Sequence, residues 1–367
     1  MLDVLSLGPD QNAQYAFFRP QEMDPLQHGA GGVPVRTSSD LESIYAASRT
    51  GNYPLLRCYS GTRDLLKWAE MSLETINNAW VAVPLCWYNV LDGRSNRSPS
   101  ESITENQRVM AWHAERGIPV EVNEAHHWSL RDAPDVVAVA AAYLAALNAK
   151  RMGVGTYVAQ YMFNTPVGTS YVADLAKMLA KQILIEALHD DSFASVRQVR
   201  TGLMSLSSNM AVAKGQLASS IALALSLRPQ IVHVVGYSEA NFAATPEVVA
   251  ESCNIIHGVV RNYLFGAPNP STDPNVAARR DFLVAEVTLL LEAIAELGNG
   301  PDSLTDPRTI ARAIEVGYLD APHLKGNPYA LGVVKTKMLD GACMAIDEQN
   351  RPLGEAERTQ RVSFRLP

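Results

Sequence analysis

Cysteine is scarce in this sequence of 367 residues, and its placement excludes two kinds of site. The four cysteines stand far apart, with no CxxC pair and no neighbouring histidine cluster. A zinc knuckle or a disulfide framework needs closely spaced sets of these residues. We therefore expect four reduced thiols that pack as small apolar side chains, at Cys58, Cys86, Cys253 and Cys343.

Long apolar runs and clustered positive charge are also missing. The longest apolar stretch, residues 136–147, falls short of the roughly 20 residues of a membrane span, and the first residues, MLDVLSLGPDQ, lack the features of a secretory signal. Lysine and arginine number 31 against 38 acidic residues, a net charge of −7, and they form no basic run. These absences predict a cytoplasmic protein with no membrane partner and no nucleic-acid partner.

Short apolar, β-branched runs alternate with helical stretches through most of the chain. One strand and one crossover helix at near-constant spacing are typical of consecutive βαβ units and a parallel sheet. The predicted strands are 54–59, 81–89, 118–124, 156–162, 196–204 and 231–238. The predicted helices are 62–74, 101–116, 135–152, 171–189, 209–227 and 246–262.

The first 53 residues supply two further units, from a strand at 3–8, a segment at 15–19 and a helix at 39–48. We therefore favour an α/β fold, a (β/α)8 TIM barrel with irregular first units, over an open doubly wound sheet. The barrel is expected over residues 1–297, followed by a small C-terminal subdomain over 298–367. The strongly apolar helix at 277–297, at the end of the predicted barrel, suits an oligomer interface or an internal core contact. We expect an oligomer.

The active site of such a barrel lies at the carboxyl ends of its strands. Arg57 and Arg63 stand near one predicted strand end, and guanidinium forks match carboxylates bidentately. An arginine-lined mouth predicts a small acidic substrate. For Arg63, at the start of a helix, an ion pair with a surface acid is an equally good explanation. An isolated charge inside an apolar strand is expensive, which favours a substrate role for Arg57.

The segment Asn-Glu-Ala-His-His-Trp at 123–128 is the densest polar cluster. Adjacent residues on an extended chain point to opposite sides, so His126 and His127 are not expected to face one metal ion. We predict no metal site and interpret the segment as a polar wall that receives a cofactor or positions a substrate, with plain loop structure as the alternative. The sequence also lacks a G-x-S-x-G elbow, a P-loop and a dinucleotide-binding glycine motif. The barrel must then borrow its reactivity from a cofactor, or be a binding protein.

Several segments, taken together, resemble one enzyme family. They are LLRCYSGTRDLL (55–66), WYNVLDG (87–93), RGIPVEVNEAHHW (116–128), IVHVVGYSEANFAATPE (231–247), RAIEVGYLDAP and NPYALGVVKTKMLDG, the last ending at residue 341. Over roughly residues 31–360 the chain resembles the large, catalytic subunit of adenosylcobalamin-dependent glutamate mutase. The resemblance implies a (β/α)8 barrel covered by a small cobalamin-binding partner subunit. It also implies an adenosyl radical that abstracts a substrate hydrogen before the carbon skeleton rearranges.

The resemblance assigns roles to individual residues. Arg57 matches an arginine that clamps a substrate carboxylate, and Tyr88 matches a tyrosine beside the substrate. Glu239 matches a glutamate that binds the ribose of the adenosyl group. Glu124 falls where the family has an Arg-Glu-Pro stretch. The chain has no D-x-H-x-x-G motif, so the partner subunit would bind the cobalamin.

Three family positions are changed, and they concern the substrate more than the cofactor. Ala82 replaces a glutamate that holds the substrate ammonium group, Val235 replaces a lysine, and Asp92 replaces a second tyrosine. The resemblance therefore implies a mutase acting on a small carboxylic or amino acid, with a rebuilt substrate pocket.

The sequence leads to one set of candidate residues and two alternative functions. The candidates are Arg57, Tyr88 and Glu124 as catalytic residues; Arg57, Arg63, Tyr88, Gln160, Tyr161 and Arg200 as substrate-binding residues; and Glu239, His126, His127 and Tyr237 as cofactor-binding residues. One alternative is a cobalamin-independent barrel lyase or isomerase of a polar acid, with Glu124 as the general base and an arginine as the electrophile. The other is a non-catalytic subunit that kept the fold.

Overall fold

A computed structural model gives the fold of this chain and describes residues 2–363. The strands are β1 (Val4–Leu7), β2 (Leu55–Tyr59), β3 (Val81–Val83), β4 (Val120–Val122), β5 (Thr156–Phe163), β6 (Ala194–Thr201), β7 (Ile231–His233), β8 (Thr336–Leu339) and β9 (Ala342–Ala345). The helices are α1 (Gln11–Ala16), α2 (Ser38–Ser48), α3 (Leu65–Ile76), α4 (Pro99–Ala114), α5 (Glu124–Ser129), α6 (Asp135–Arg151), α7 (Tyr171–Glu186), α8 (Met210–Ala224), α9 (Pro246–Phe265), α10 (Pro274–Glu296), α11 (Pro307–Glu315) and α12 (Glu355–Ser363).

Strands and helices alternate, and the first seven strands form one sheet. These strands follow one another in the sheet in the order of the chain, β1 to β7. The pairs β1–β2, β2–β3, β3–β4 and β6–β7 are all parallel. The predicted α/β organisation is therefore confirmed, with seven strands in the sheet among residues 2–363.

The segment at 15–19 was expected to belong to one of the first barrel units, and it is helical at its start. Residues 11–16 form α1, because the Asp10 carboxylate caps this helix by accepting a hydrogen bond from the Ala13 amide at 2.9 Å. This N-cap lies directly after β1, so the chain is already helical where the aromatic run YAFF begins, and the run does not form a strand. No eighth strand joins the sheet within the described part of the chain.

The chain divides into two compact units. The first unit holds β1 to β4 and comprises the residues up to Asn123, with 148–157 and 190–193. The second unit comprises 124–147, 158–189 and the residues from 194 onward. The predicted boundary between residues 297 and 298 falls inside the second unit. Residues 364–367 of the predicted C-terminal subdomain lie outside the described residues, and the subdomain stays a prediction.

The sheet of the first unit has one apolar face and one polar face. Leu56 and Cys58 of β2 point to the helices, where they pack with Trp68 and Met71 of α3. Because side chains alternate along a strand, Arg57 between them points to the opposite face. The polar face of this unit is therefore the inner face of the sheet, away from its helices.

The second unit has a core between β7, α8 and α9. Leu217 and Ile221 of α8 pack with Val235 and with Ile256 of α9. The segment Met210–Leu227 is long and apolar enough to cross a membrane by length and composition alone, and 39% of it is buried within the protein. The buried part of this segment packs in that core.

All four cysteines are free and buried, as predicted. Burial raises the pKa of the Cys58 thiol to about 12 and that of the Cys343 thiol to about 12. The thiols are therefore protonated and behave as small apolar groups.

The C-terminal hairpin β8–β9 is held against the starts of α6 and α7. Its two-residue turn places Asp340 and Gly341 in the left-handed conformation, as a type I′ turn requires. The Ser170 amide, at the N-cap of α7, donates to the Gly341 carbonyl at 3.0 Å, and the Cys343 amide donates to the Asp135 carboxylate at 3.2 Å. A Cβ atom at position 341 would lie 2.3 Å from the Ser170 Cβ, so only glycine fits this contact.

A group of buried charges surrounds the start of α7. Asp135, Asp174, Lys177 and Lys181 are each at most 3% exposed. Lys177 donates to an Asp135 oxygen at 3.1 Å and to the Thr165 carbonyl at 2.6 Å. Burial raises the pKa of Asp174 to about 6, whereas burial and the nearby Lys177 lower the pKa of Lys181 to about 7.

We expect the Lys181→Met variant to be more stable than the wild type near neutral pH, and we expect this advantage to be smaller at alkaline pH. A group whose pKa is lowered by folding loses its contribution to stability as the pH falls from its unfolded to its folded value. For Lys181 this window runs from the ordinary pKa of 10.5 down to about 7. The advantage of the variant in free energy of unfolding should be larger at about pH 6 than at about pH 10, by more than about 1.4 kcal/mol, the equivalent of one pKa unit.

Urea unfolding at the two pH values measures this difference. Lys67 of α3 is exposed, and the Lys67→Met variant serves as the control, with no expected change between the two pH values. A difference between wild type and Lys181→Met that does not change with pH would contradict the prediction.

Candidate functional site

A buried ion pair crosses the inner face of the first unit. The guanidinium of Arg57 donates from Nη2 to the Glu121 Oε1 at 2.7 Å and from Nη1 to the Ser6 Oγ at 2.8 Å. Glu121 also accepts from the Trp80 indole at 2.8 Å, and the guanidinium lies 3.9 Å from the Tyr59 ring centroid. Arg57 and Glu121 are 1% and 0% exposed. The pKa of Arg57 is raised, because the attraction of Glu121 and Tyr59 outweighs the effect of burial.

The strand register explains why these groups meet. Ser6 pairs with Arg57, Tyr59 with Ala82, and Ala82 with Glu121. Paired residues of neighbouring parallel strands point to the same face, and so do residues two apart on one strand. Arg57 thus lies two residues below the carboxyl end of β2, with both of its Nη atoms already bound to the protein. Its predicted contact with a substrate carboxylate stays a prediction.

Arg63 lies in the loop after β2 and binds a surface acid. Its Nη1 donates to a Glu22 oxygen at 2.9 Å, and its guanidinium lies 4.8 Å from the Tyr15 ring centroid. Arg19 contacts the same Glu22 carboxylate at 3.3 Å. The ion pair anticipated as the alternative for Arg63 is therefore present.

Tyr88 sits in the long loop between β3 and α4, in the left-handed conformation with φ of 68°. Its carbonyl accepts from the Ser95 hydroxyl at 2.9 Å and from the Arg97 guanidinium at 3.0 Å. Arg97 also donates to the Thr62 carbonyl, which joins this loop to the one after β2. The guanidinium of Arg94 covers the Tyr88 ring at 4.5 Å. The loop is thus fixed by side chains, and Tyr88 is buried at the carboxyl edge of the first unit.

Two buried polar side chains at this edge have unused hydrogen-bonding atoms. Ser60 follows β2 and Asn123 follows β4, and their amides continue the sheet by donating to the carbonyls of Ala82 and Val83 at 2.9 Å. Both side chains are at most 1% exposed. The Ser60 hydroxyl and both amide atoms of Asn123 have no hydrogen-bond partner within the described chain. Buried polar groups are nearly always hydrogen-bonded, so these atoms have hydrogen-bonding capacity that the described chain does not use.

The candidates Glu124, His126 and His127 lie on a helix, which corrects the expectation of an extended segment. They belong to the six-residue helix α5, and all its residues are buried. The Trp128 indole donates to the Glu124 Oε1 at 2.7 Å, and the two imidazole rings stand 4.5 Å apart between centroids. A helix places consecutive residues about a quarter-turn apart, so the argument from opposite sides of a strand was wrong here.

Within residues 2–363, no three histidine, cysteine or acidic side chains are grouped closely enough to hold a metal ion.

Gln160 and Tyr161 are neighbours on β5 and therefore point to opposite faces. Tyr161 is fully buried, and its pKa is raised by burial and by the nearby Glu186 of α7. Glu186 in turn lies 3.5 Å from Arg197. Tyr161 is thus placed on the helix side of the strand and Gln160 on the inner side, so the two do not line one surface.

Arg200 lies on the inner side of β6. The Thr201 hydroxyl donates to the Ser220 hydroxyl of α8 at 3.0 Å, which places Thr201 on the helix side and Arg200 opposite. Arg200 pairs in register with His233 of β7, so their side chains share one face. The inner face of the second unit therefore carries Gln160, Gln198, Arg200 and His233.

Tyr237 points to the helices. Its hydroxyl donates to the Glu251 Oε2 of α9 at 2.6 Å, and the Lys214 ammonium of α8 lies 4.7 Å from its ring centroid. Lys214 binds the same carboxylate. The hydrogen bond to Glu251 raises the pKa of Tyr237, and Lys214 lowers the pKa of Glu251. Tyr237 thus joins α8 to α9, and its predicted contact with a cofactor stays a prediction.

Glu239 lies in the turn after β7 and is exposed. Its Oε1 accepts a hydrogen bond from the Gly236 amide, which folds the side chain back over the turn. A Cβ atom at position 236 would lie 2.8 Å from this oxygen, so the arrangement needs glycine. Next to it, Ser238 is 5% exposed, and its hydroxyl has no partner in the described part of the chain. The turn therefore offers a carboxylate and a hydroxyl to a bound molecule.

The sequence prediction missed Glu121 and His233. An acid between two valines of a strand in IPVEVNE was a usable signal, because a charge there needs a partner. His233 alternates with valines in IVHVV and follows the same pattern. Arg57 belongs to the first unit and Glu239 to the second, so their action on one ligand stays a prediction. No family model and no curated protein matches this sequence.

Proposed function

We propose that the chain is the catalytic subunit of an adenosylcobalamin-dependent carbon-skeleton mutase that rearranges a small carboxylic or amino acid. The observation that carries this proposal is the carboxyl edge of the first unit. There the unused polar atoms of Ser60 and Asn123 lie in the same sheet as the buried charge of Arg57. We further propose that the sheet belongs to a (β/α)8-type barrel, which is supported by its sequential parallel strands.

In this proposal the substrate binds at the strand ends. Asn123 and Ser60 donate to or accept from its polar groups, while Arg57 supplies positive charge for its carboxylate. Tyr88 and Gln160 line it, with Arg63 and Arg200 as the further residues proposed from the sequence. Tyr161 lies on the helix side of β5 and has no part in this arrangement. Glu121 keeps the Arg57 guanidinium in one orientation, which is what a positioning residue does. Glu121 pairs in strand register with Ala82, the position where the family carries an acid.

The turn at Gly236–Glu239 fits the adenosyl group. A ribose presents two hydroxyls, and the Glu239 carboxylate and the unpartnered Ser238 hydroxyl are suitable partners for them. His126 and His127 are proposed to contact the rest of the cofactor, whereas Tyr237 points to α8 and α9 and has no part in this arrangement. When bound, adenosylcobalamin would supply the radical that removes a hydrogen from the substrate. The task of this chain is to hold both molecules and to exclude water.

A small cobalamin-binding subunit is the proposed partner. Four large apolar side chains in the loops and helix starts after β5, β6 and β7 are more than half exposed, at the strand ends that a covering subunit would contact. They are Val167, Tyr171, Met204 and Phe242. In this proposal the partner covers them and closes the site, so the active protein is a hetero-oligomer.

Electron paramagnetic resonance tests the proposal. The chain is mixed with adenosylcobalamin and a cobalamin-binding subunit that is active with another mutase, and small acids such as glutamate are added. We expect a cob(II)alamin radical signal that depends on the acid. Glu239→Ala should weaken that signal ~10-fold or more, because a charge-assisted hydrogen bond contributes about 1.5–3 kcal/mol.

Glu247→Ala is the matched control, because Glu247 is an exposed acid at the start of α9. It should leave the signal unchanged. A chain that binds the partner subunit but gives no radical with any acid would contradict the mutase proposal and favour a non-catalytic subunit. Acid turnover without cobalamin, lost in Glu124→Gln, would instead identify the lyase or isomerase. The buried indole bond that fixes the Glu124 carboxylate favours that second candidate.

A further inference from the structure

A groove of about 680 Å³ lies in the C-terminal part of the second unit. One wall is formed by β8 and the residues before it, and another by the turn at Pro322–Leu324 and Lys325. The volume is in the range of small-molecule sites, about 300–1,000 Å³. None of the residues proposed above for the mutase reaction lines this groove.

The walls of the groove are fixed by buried hydrogen bonds. The fully buried Asp320 accepts from the amides of Val333 and Val334 at 2.9 and 3.0 Å, which holds the segment leading into β8. The Ile346 amide donates to the Lys335 carbonyl at 2.9 Å. Position 332 needs glycine, because its conformation is left-handed and a Cβ atom there would lie 2.4 Å from the Leu324 carbonyl oxygen. The groove is therefore formed before any ligand arrives.

Positive charge exceeds negative charge along this groove. Its lining contains three lysines and two acids, Asp132 and Glu348, in a chain whose net charge is −7. All three lysines line the groove, and Lys335 is paired with Glu348. Lys325 and Lys337 form no ion pair with any described residue. Two exposed ammonium groups that form no ion pair therefore line the cavity, together with the carboxylate of Asp132.

The rest of the lining is largely apolar. Val333, Val334, Met338 and Pro322 contribute to it, with the buried Cys343. A cavity of this kind suits a ligand that has an apolar body and an anionic end. Lysine is a common phosphate binder because its ammonium acts as a compact point charge.

We propose that this groove binds a small molecule carrying two or more phosphate groups, with Lys325 and Lys337 holding the phosphates. The apolar walls receive the rest of the ligand, as they would the base of a nucleoside diphosphate. The site is separate from the proposed mutase centre, so neither proposal depends on the other.

Calorimetric titration of the full chain tests this site with three probes: ADP, inorganic pyrophosphate and adenosine. We expect ADP to bind, and we expect the double variant Lys325→Gln with Lys337→Gln to weaken its binding at least ~10-fold, because two charge-assisted contacts are removed. Lys67→Gln, on α3 of the first unit, is the matched control and should bind ADP as the wild type does.

The probes also identify which part of the ligand is recognised. Pyrophosphate binding as tightly as ADP would support a site for the phosphates alone, and much tighter ADP binding would support a nucleotide site. Two results would overturn the proposal: no binding of ADP or pyrophosphate, or binding that the double variant leaves unchanged. Adenosine binding as tightly as ADP would overturn the role of the lysines.

Discussion

Arg57→Met should lower the free energy of unfolding by about 3–5 kcal/mol, because it leaves Glu121 charged and buried without its counter-ion. The pair spans β2 and β4 on the inner face, and both side chains are at most 1% exposed. Urea unfolding of the purified chain measures the loss. If Arg57 also binds substrate, the same variant should abolish the acid-dependent radical signal.

A double variant separates the missing partner from a general packing defect. Arg57→Met combined with Glu121→Leu should be more stable than Arg57→Met alone, because replacing a buried ion pair by apolar groups is often neutral. Arg63→Gln, in the same unit, removes only a partly exposed ion pair with Glu22, and should cost about 0.2–1 kcal/mol. The Glu121→Leu single variant completes the comparison. If the loss in free energy of unfolding of the double variant equals the sum of the losses of Arg57→Met and Glu121→Leu, the pair does not act as a unit.

Asp135→Ala should have an effect of similar size, about 3–5 kcal/mol, because one buried carboxylate serves three donors. Its oxygens accept from Lys177 of α7 at 3.1 Å, Arg279 of α10 at 3.2 Å and the Cys343 amide of β9 at 3.2 Å. Removing it takes the carboxylate away from the buried Lys177 ammonium, which keeps its bond to the Thr165 carbonyl, and leaves the Cys343 amide without its acceptor. Urea unfolding gives the loss, and hydrogen exchange at residue 343 should show faster exchange.

Asp281→Ala provides the matched control on α10. Asp281 is paired with Arg280 at the surface, so its loss should change the free energy of unfolding by no more than about 0.5 kcal/mol. A loss below about 1 kcal/mol for Asp135→Ala would refute the central role of this carboxylate. Asp135→Asn should not restore stability, because the amide cannot neutralise Lys177.

The alternation of strands and helices could be predicted because short apolar, β-branched runs and helical patterns of residues alternate along the sequence. β2 and β5 lie within one residue of their predicted bounds. β3 was predicted at 81–89 but ends at Val83, since Pro84 breaks the ladder and the apolar residues after it are buried in a loop. A buried loop segment has the same apolar composition as a buried strand. Local sequence does not distinguish the two.

The site was harder to predict, because its interactions join residues distant in sequence. The cost of a charge in an apolar strand was recognised for Arg57, but its counter-ion lies 64 residues away, on β4. Only the register, which aligns Ala82 with Glu121, brings the two together. The short helix α5 was missed for a related reason: its six residues are all buried, so it shows no amphipathic pattern.

The contacts of the β8–β9 hairpin set a condition on how the chain is made. The Ser170 amide at the start of α7 bonds to Gly341, and the Asp135 carboxylate at the start of α6 bonds to Cys343. These hairpin residues are synthesised some 170 to 210 residues after their partners. During synthesis the second unit therefore emerges with these two helix starts unfinished. A transcript truncated just before the hairpin would yield a chain that includes every strand of the parallel sheet yet has no way to complete that unit.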